Sequence, residues 1–219
     1  ERINIKCPKQ MLYLIKNVKV EDEEKLIQVV ANDQMTVVSD GGLKRTGGFG
    51  WVAAADEEIV AKCHGPVRGS EDQLSSFRSE ITGMASATLF FSKIALALNI
   101  RPEISLWSDN SSLVERLKNL CKSDPVAEHL KNDHDMYFIT QASMANLNIT
   151  ETGHVKGHQD MLYSNPTTTE KLNVEADKLA TKAVGTSRIR EPEWCEEHPP
   201  PCWSSRERQS PRKKLSCSV

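Results

Sequence analysis

Four acidic residues stand where a carboxylate could do chemistry: Asp40, Glu80, Asp109 and Asp177. Asp40 ends the apolar run "TVVSD" and is followed by Gly41 and Gly42, whose missing side chains would leave room for a ligand or ion. Asp109 ends a second such run, "ISLWSD", while Glu80 falls beside the apolar stripe of one helical segment and Asp177 lies on another. Each has an ordinary explanation. A lone acid at the edge of an element is more often solvated or capping than reactive, and Asp-Gly-Gly by itself is a turn signal. The combination says more. If the two strands are neighbours, Asp40 and Asp109 emerge side by side, and flanking helices can bring Glu80 and Asp177 to the same rim. Four carboxylates cannot all stay ionised in one place without cations, and hard oxygen donors favour Mg²⁺. Such a set predicts a two-metal site for phosphodiester chemistry.

The elements that would hold these acids follow from hydrophobic periodicity and turn residues. "TVVSD", "FGWVAAA" and "EIVAKCHG", separated by "GGLKRTGG" and "DE", read as an antiparallel meander. In "SSFRSEITGMASATLFFSKIALAL", Phe77, Ile81, Met84, Ala85, Thr88 and Leu89 recur at helical spacing, with Ser75 or Ser76 as cap. Gly83 and Ala87 one turn apart predict close packing of that helix on the sheet. "ISLWSDNSSLVERLKNL" reads as a strand passing into a helix capped by Ser111 or Ser112, with Leu113, Leu117 and Leu120 inward: a parallel βα unit. Residues 126–146 form a further helix, and "NITETGHVKGH" a strand running into a loop. "TTTEKLNVEADKLATKAVG" forms a last helix with Leu172, Ala176, Leu179 and Ala183 inward and Gly185 as its stop. The resulting order is βββαβααβα, an α/β domain over residues 36–186.

In that order, "SDGGLKRTGGFGWV", "SSFRSEITGMASA", "LWSDNSSLV", "HVKGHQ" and "NVEADKLA" resemble the type 1 ribonuclease H family, over about residues 36–186. The resemblance implies a five-stranded mixed sheet flanked by helices. It also implies hydrolysis of the RNA strand of RNA–DNA hybrids with two Mg²⁺ ions, for which Mn²⁺ can substitute. Carried over residue by residue, it makes Asp40, Glu80, Asp109 and Asp177 the metal ligands. His158 becomes the loop residue that assists proton transfer or product departure, and Gly41 and Asn173 become substrate-side or backbone-packing positions. The segment "NLCKSDPVAEHLKNDHD" departs from the family, many of whose cellular members carry a Lys-rich helical protrusion there. The chain thus looks like the ribonuclease H portion of a retroelement reverse transcriptase, covalently linked to an upstream polymerase that supplies the grip on the hybrid. A non-catalytic module on the same fold is the alternative. Proofreading-type exonucleases, with their first Asp and Glu two apart, are disfavoured by Gly42, and transposases and integrases, whose series ends in Glu, by Asp177.

The remaining sequence bounds the setting. The chain has 219 residues and a formal charge of -2; residues 36–186 are net acidic and 187–219 net basic, so hybrid binding by charge alone is not expected. No run of about 18 apolar residues and no secretory pattern is evident, and the six scattered cysteines fit reduced thiols, so an intracellular protein, cytoplasmic or nuclear, with no membrane partner is expected. The Asn-x-Ser/Thr triplets at Asn110 and Asn148 border core strands and are not read as glycan sites. Residues 1–35, which begin with Glu rather than Met, read as the flank of a preceding domain in a longer reading frame. Residues 187–219, rich in Pro, Ser and Arg, read as a disordered tail. Cys195, His198, Cys202 and Cys217 in that tail match no common zinc spacing, and its abrupt composition also fits a frameshifted reading. His154, alternating along one strand face, reads as a surface or packing residue.

Overall fold

The computed structural model describes residues 7–69, 73–120, 133–157 and 166–184. A six-stranded mixed sheet forms its centre, in the order β1-β4-β3-β2-β5-β6. Strands β2 (Gln34–Leu43), β3 (Gly47–Ala55) and β4 (Glu58–Pro66) form the expected antiparallel meander, and β5 (Glu103–Ser108) and β6 (Asn148–His154) extend it in parallel from β2. The expected count of five strands is exceeded by one. The extra strand is the two-residue β1 (Lys19–Val20), which pairs antiparallel with Lys62 and Ala61 of β4.

That strand comes from the segment read as a flank. The short helix α1 (Leu12–Ile15) precedes it and α2 (Glu23–Asn32) follows, capped by Asp22, whose carboxylate accepts from Lys25 N. Leu14, Leu26, Val29 and Val30 are buried in the same core cluster as the sheet and its long helix. Trp51 Nε1 donates to Ser86 Oγ, which donates in turn to the Leu14 carbonyl, and the Cys63 thiol reaches that carbonyl at 3.6 Å. A buried hydrogen-bond chain that is satisfied at each link fixes one docking geometry as apolar contact alone does not. Packing is therefore continuous across the boundary expected near residue 36.

Two-residue alternation divides the strands between the faces. Val37, Phe49, Trp51 and Ala53 face the larger core under α3 (Ser76–Leu98), whereas Val38, Val52 and Ala54 pack with Val155, Leu172 and Ala176 under α6 (Thr168–Val184). With a helix on each face, all nine residues of β3 are buried. Helix α3 is buried without a break from Arg78 to Ser92, so its inward surface is much wider than the stripe predicted from periodicity. By length and composition α3 could cross a membrane, but it is the core helix, with 78% of its most apolar window buried. It packs against α5 (His134–Met144), the described part of the helix expected over 126–146. Helix α4 (Ser111–Lys118) follows β5 as expected, but its cap is Asn110, which accepts from Leu113 N, rather than Ser111 or Ser112. An Asx side chain at that position reaches the same orphan N–H groups that a serine would.

Candidate active site

Asp40 is not at the end of its strand. β2 continues through Gly41 and Gly42 to Leu43, with Asp40 paired to Gly50 and Gly41 to Phe49, so the turn signal read in Asp-Gly-Gly is corrected here. Neither glycine has a positive φ, and their role is clearance. A Cβ on Gly41 would stand 2.4 Å from Glu80 N, and one on Gly42 3.0 Å from a Val184 methyl. The first turn of α3 therefore lies directly on β2, and its Glu80 reaches the strand beside Asp40. Gly48 and Gly50 serve α6 in the same way: added carbons would meet Ala180 O at 2.6 Å and Ala176 O at 2.4 Å. Ser75, whose hydroxyl accepts from Arg78 N at 2.9 Å, starts α3 at the point that brings Glu80 to this level.

Because β2 and β5 are parallel with Ser39 opposite Ser108, the next residues, Asp40 and Asp109, come side by side. Carboxylate oxygens of Asp40, Glu80 and Asp109 all lie within 4.8 Å of one another. Asp40 and Glu80 are buried, and Asp109 is half-buried. Burial first, and then the charge of Asp109, pushes the Asp40 carboxyl up to about 7, against the restraining N–H of Gly41 at 2.6 Å. Burial followed by the charges of Asp40 and Asp109 pushes Glu80 up further, to about 10, although Gly41 N–H and Ser108 Oγ, the latter at 3.4 Å, hydrogen-bond to it. Three acids in one desolvated place cannot all hold charge unless a cation joins them. All three offer hard oxygens, the donor type that Mg²⁺ and Mn²⁺ take, so the residues fit such an ion.

Asp177 is not within the 4.8 Å cluster. It is half-buried on α6, receives the Thr181 hydroxyl at 3.5 Å, and its charge adds to the rise at Asp40. Asn173, expected on the substrate side, is 3% exposed, and its buried Oδ1 has no hydrogen-bond partner among the described residues. Gly41 is half-buried against the backbone of α3. His158 and the tail residues Cys195, His198, Cys202 and Cys217 lie outside the described residues. His154 is exposed as expected, yet its Nε2 lies 2.9 Å from the Asp109 carbonyl oxygen. Ser108 and Arg78 escaped the sequence reading. Ser108 gives no periodic signal, whereas Arg78 could have been noticed as a cation next to Phe77, at the start of the helix's apolar stripe.

The sequence matches no protein-family model and no curated protein. Solved structures do match. LC9-RNase H1, a type 1 ribonuclease H with the type 2 active-site motif, superposes with a TM-score of 0.51 at 15% identity, over 69% of this chain and 72% of that one. The prototype foamy virus protease–reverse transcriptase, in its CSH mutant, gives 0.52 at 20% identity over 72% of this chain. The foamy viral protease–reverse transcriptase in complex with RNA/DNA hybrid gives 0.50 at 16% identity over 85% of this chain. This chain spans 22% of the viral one in each case. The six-stranded mixed sheet, its flanking helices and these superpositions together give this chain the ribonuclease H fold.

Proposed function

We propose that this chain is a divalent-metal-dependent endonuclease that hydrolyses the RNA strand of RNA–DNA hybrids. The observation that carries the reading is the convergence of Asp40, Glu80 and Asp109 within 4.8 Å, on the ribonuclease H fold, at the rim where β2 and β5 run side by side. Two Mg²⁺ ions, or Mn²⁺ in their place, would activate water and stabilise the leaving 3′-oxygen in an in-line displacement. The protein's part is to hold the ligands. Asp40 lies on β2 and Asp109 directly after the neighbouring β5, Glu80 comes from α3, and Asp177 on α6 adds to the acidic wall. Without a cation Glu80 keeps its proton at neutral pH, so loading the site displaces that proton. Strand choice would come from 2′-OH contacts across the wide minor groove, with Gly41 and Asn173 as substrate-side or backbone-packing positions. His158, one residue beyond the described turn, would assist proton transfer or product departure.

The wider context is part of the same reading: an intracellular retroelement protein whose upstream reverse transcriptase supplies affinity for the hybrid. The likeness to foamy virus protease–reverse transcriptases supports it. The test is a labelled RNA–DNA hybrid incubated with the chain and Mg²⁺ or Mn²⁺. Cleavage confined to the RNA strand, abolished by Asp109→Asn, is expected. Cleavage by Asp109→Asn at the unaltered rate would overturn the assignment.

A further inference from the structure

Gly157 closes the turn after β6 and lies against the carboxylate of Asp109. The three atoms nearest a Cβ built on it all belong to that one side chain: Oδ2 at 2.7 Å, Cγ at 3.6 Å and Cβ at 3.7 Å. Backbone conformation does not demand glycine here, because Gly157 has no positive φ. The other glycines of the site differ. Cβ atoms at Gly41, Gly48 and Gly50 would strike the backbone of a helix, and a helix cannot step aside. At Gly157 the obstacle is the end of a flexible side chain, which can turn away.

The same turn holds Asp109 from its other end. His154 Nε2 meets the Asp109 carbonyl at 2.9 Å, and Val155 N–H donates to the Ser108 carbonyl at 3.1 Å. With the backbone of Asp109 tied in this way, the open face of Gly157 decides which rotamer its carboxylate takes toward Asp40 and Glu80. We infer that Gly157 is a positioning residue, glycine because its bare backbone lets the Asp109 carboxylate stand with the other two, and that it thereby sets the cation affinity of the site. This role rests on the reading of the three carboxylates as cation ligands. A side chain at 157 is accommodated by the fold and displaces a ligand.

The test uses the full chain in four forms: unaltered, Gly157→Ala, Asp109→Ala and the double variant. Thermal unfolding without divalent cation is measured first, and Mn²⁺ affinity by electron paramagnetic resonance second. Gly157→Ala should unfold close to the unaltered chain yet bind Mn²⁺ about tenfold to a hundredfold more weakly, the range seen when groups that orient metal ligands are lost. Removing the carboxylate removes the collision, so Gly157→Ala should change the unfolding temperature more favourably in the Asp109→Ala background. Mn²⁺ affinity within twofold of the unaltered chain, additive unfolding temperatures, or a Gly157→Ala chain that does not fold would each overturn the inference. Failure of the unaltered chain to bind Mn²⁺, with the coupling between 157 and 109 intact, would instead overturn the functional reading and this role with it.

Discussion

Arg78 and Glu80 are two residues apart in the first turns of α3, both buried, and each belongs to a cluster of charge. Arg78 points to the N-terminus of α5. Its Nη1 meets Asp133 Oδ1 at 2.9 Å, its Nη2 meets Asp135 Oδ2 at 2.8 Å, and its Nε donates to the Arg68 carbonyl at 2.8 Å. Burial works against the guanidinium charge, but the hydrogen bonds and charges of Asp135 and Asp133 outweigh it and push the Arg78 pKa up. Burial likewise works against Asp135, and Arg78 holds its carboxyl below the usual range. The charges that act on Glu80 are those of Asp40 and Asp109, both acids, and its pKa moves the other way from that of Asp135. One helix thus carries a closed cluster whose charges compensate within the chain and an open one that cannot compensate without a ligand. The first secures α3 against α5; the second is the candidate site. Burial alone does not mark function, because both clusters are buried. Lack of internal compensation does.

The widest separation between the clusters should appear in activity. Asp40→Asn or Asp109→Asn should lower hybrid cleavage by about a hundredfold to a thousandfold, the scale of losing a principal electrostatic group, while the metal-free chain stays folded. Equal cleavage by mutant and parent, followed on a labelled hybrid, would erase the distinction. Stability should respond in the opposite sense. Arg78→Met leaves the buried Asp133 and the half-buried Asp135 without their cation and should destabilise the chain by about 3–5 kcal/mol, read by urea unfolding. A loss below about 1 kcal/mol, the range of an exposed ion pair, would mean that the closed cluster is solvated.

Glu80→Gln should do the reverse without divalent cation and stabilise the chain by about 1–3 kcal/mol, because it removes a buried, repelled acid. No gain in melting temperature would show that the acids are relieved by other means. The pH dependence has a definite sign. Asp40 and Glu80 have folded-state pKa values above those of free carboxylates, so their contribution to stability is full at acid pH and is lost as pH rises through about 7 for Asp40 and about 10 for Glu80. The metal-free chain should therefore melt at a lower temperature at pH 8 than at pH 6, and Mg²⁺ should restore more stability at pH 8. The smallest effect is the proton count. Titrations of Mn²⁺ in buffers of different ionisation heat should detect release of about one proton near pH 7.5. Uptake, or no exchange, would place both acids in their ionised form before the metal arrives.

The N-terminal segment shows where sequence reading reached its limit. The acidic run before Lys25 and the short apolar runs of residues 1–35 gave no sustained period, and a two-residue strand is too short to show alternation. What ties the segment to the sheet is long-range: the Leu14 carbonyl bonded to Ser86 and Cys63, and the Asn17 side chain donating to the His64 carbonyl at 3.1 Å. Such bonds leave no local trace. The glycines teach the same lesson in another form. Gly41, Gly42 and Gly48 read as turn chemistry and Gly50 as an ordinary strand residue in one dimension, and in three dimensions all four are the clearances that let α3 and α6 settle on β2 and β3.

By itself the sequence determined, among the described residues, the element types and order from residue 36 onward, the α/β class and the four acids as candidates. Each of these depends on local periodicity, turn residues or side-chain chemistry, which are properties of short stretches. The tertiary structure decided which acids meet. Asp40 and Asp109 are neighbours because β2 and β5 pair in parallel with Ser39 opposite Ser108. Glu80 joins them because Gly41 admits the backbone of α3, and Asp177 stays outside the 4.8 Å cluster on α6. Register and helix clearance arise from contacts between residues dozens of positions apart, and the shared burial that raises the pKa values of Asp40 and Glu80 exists only once those contacts have formed.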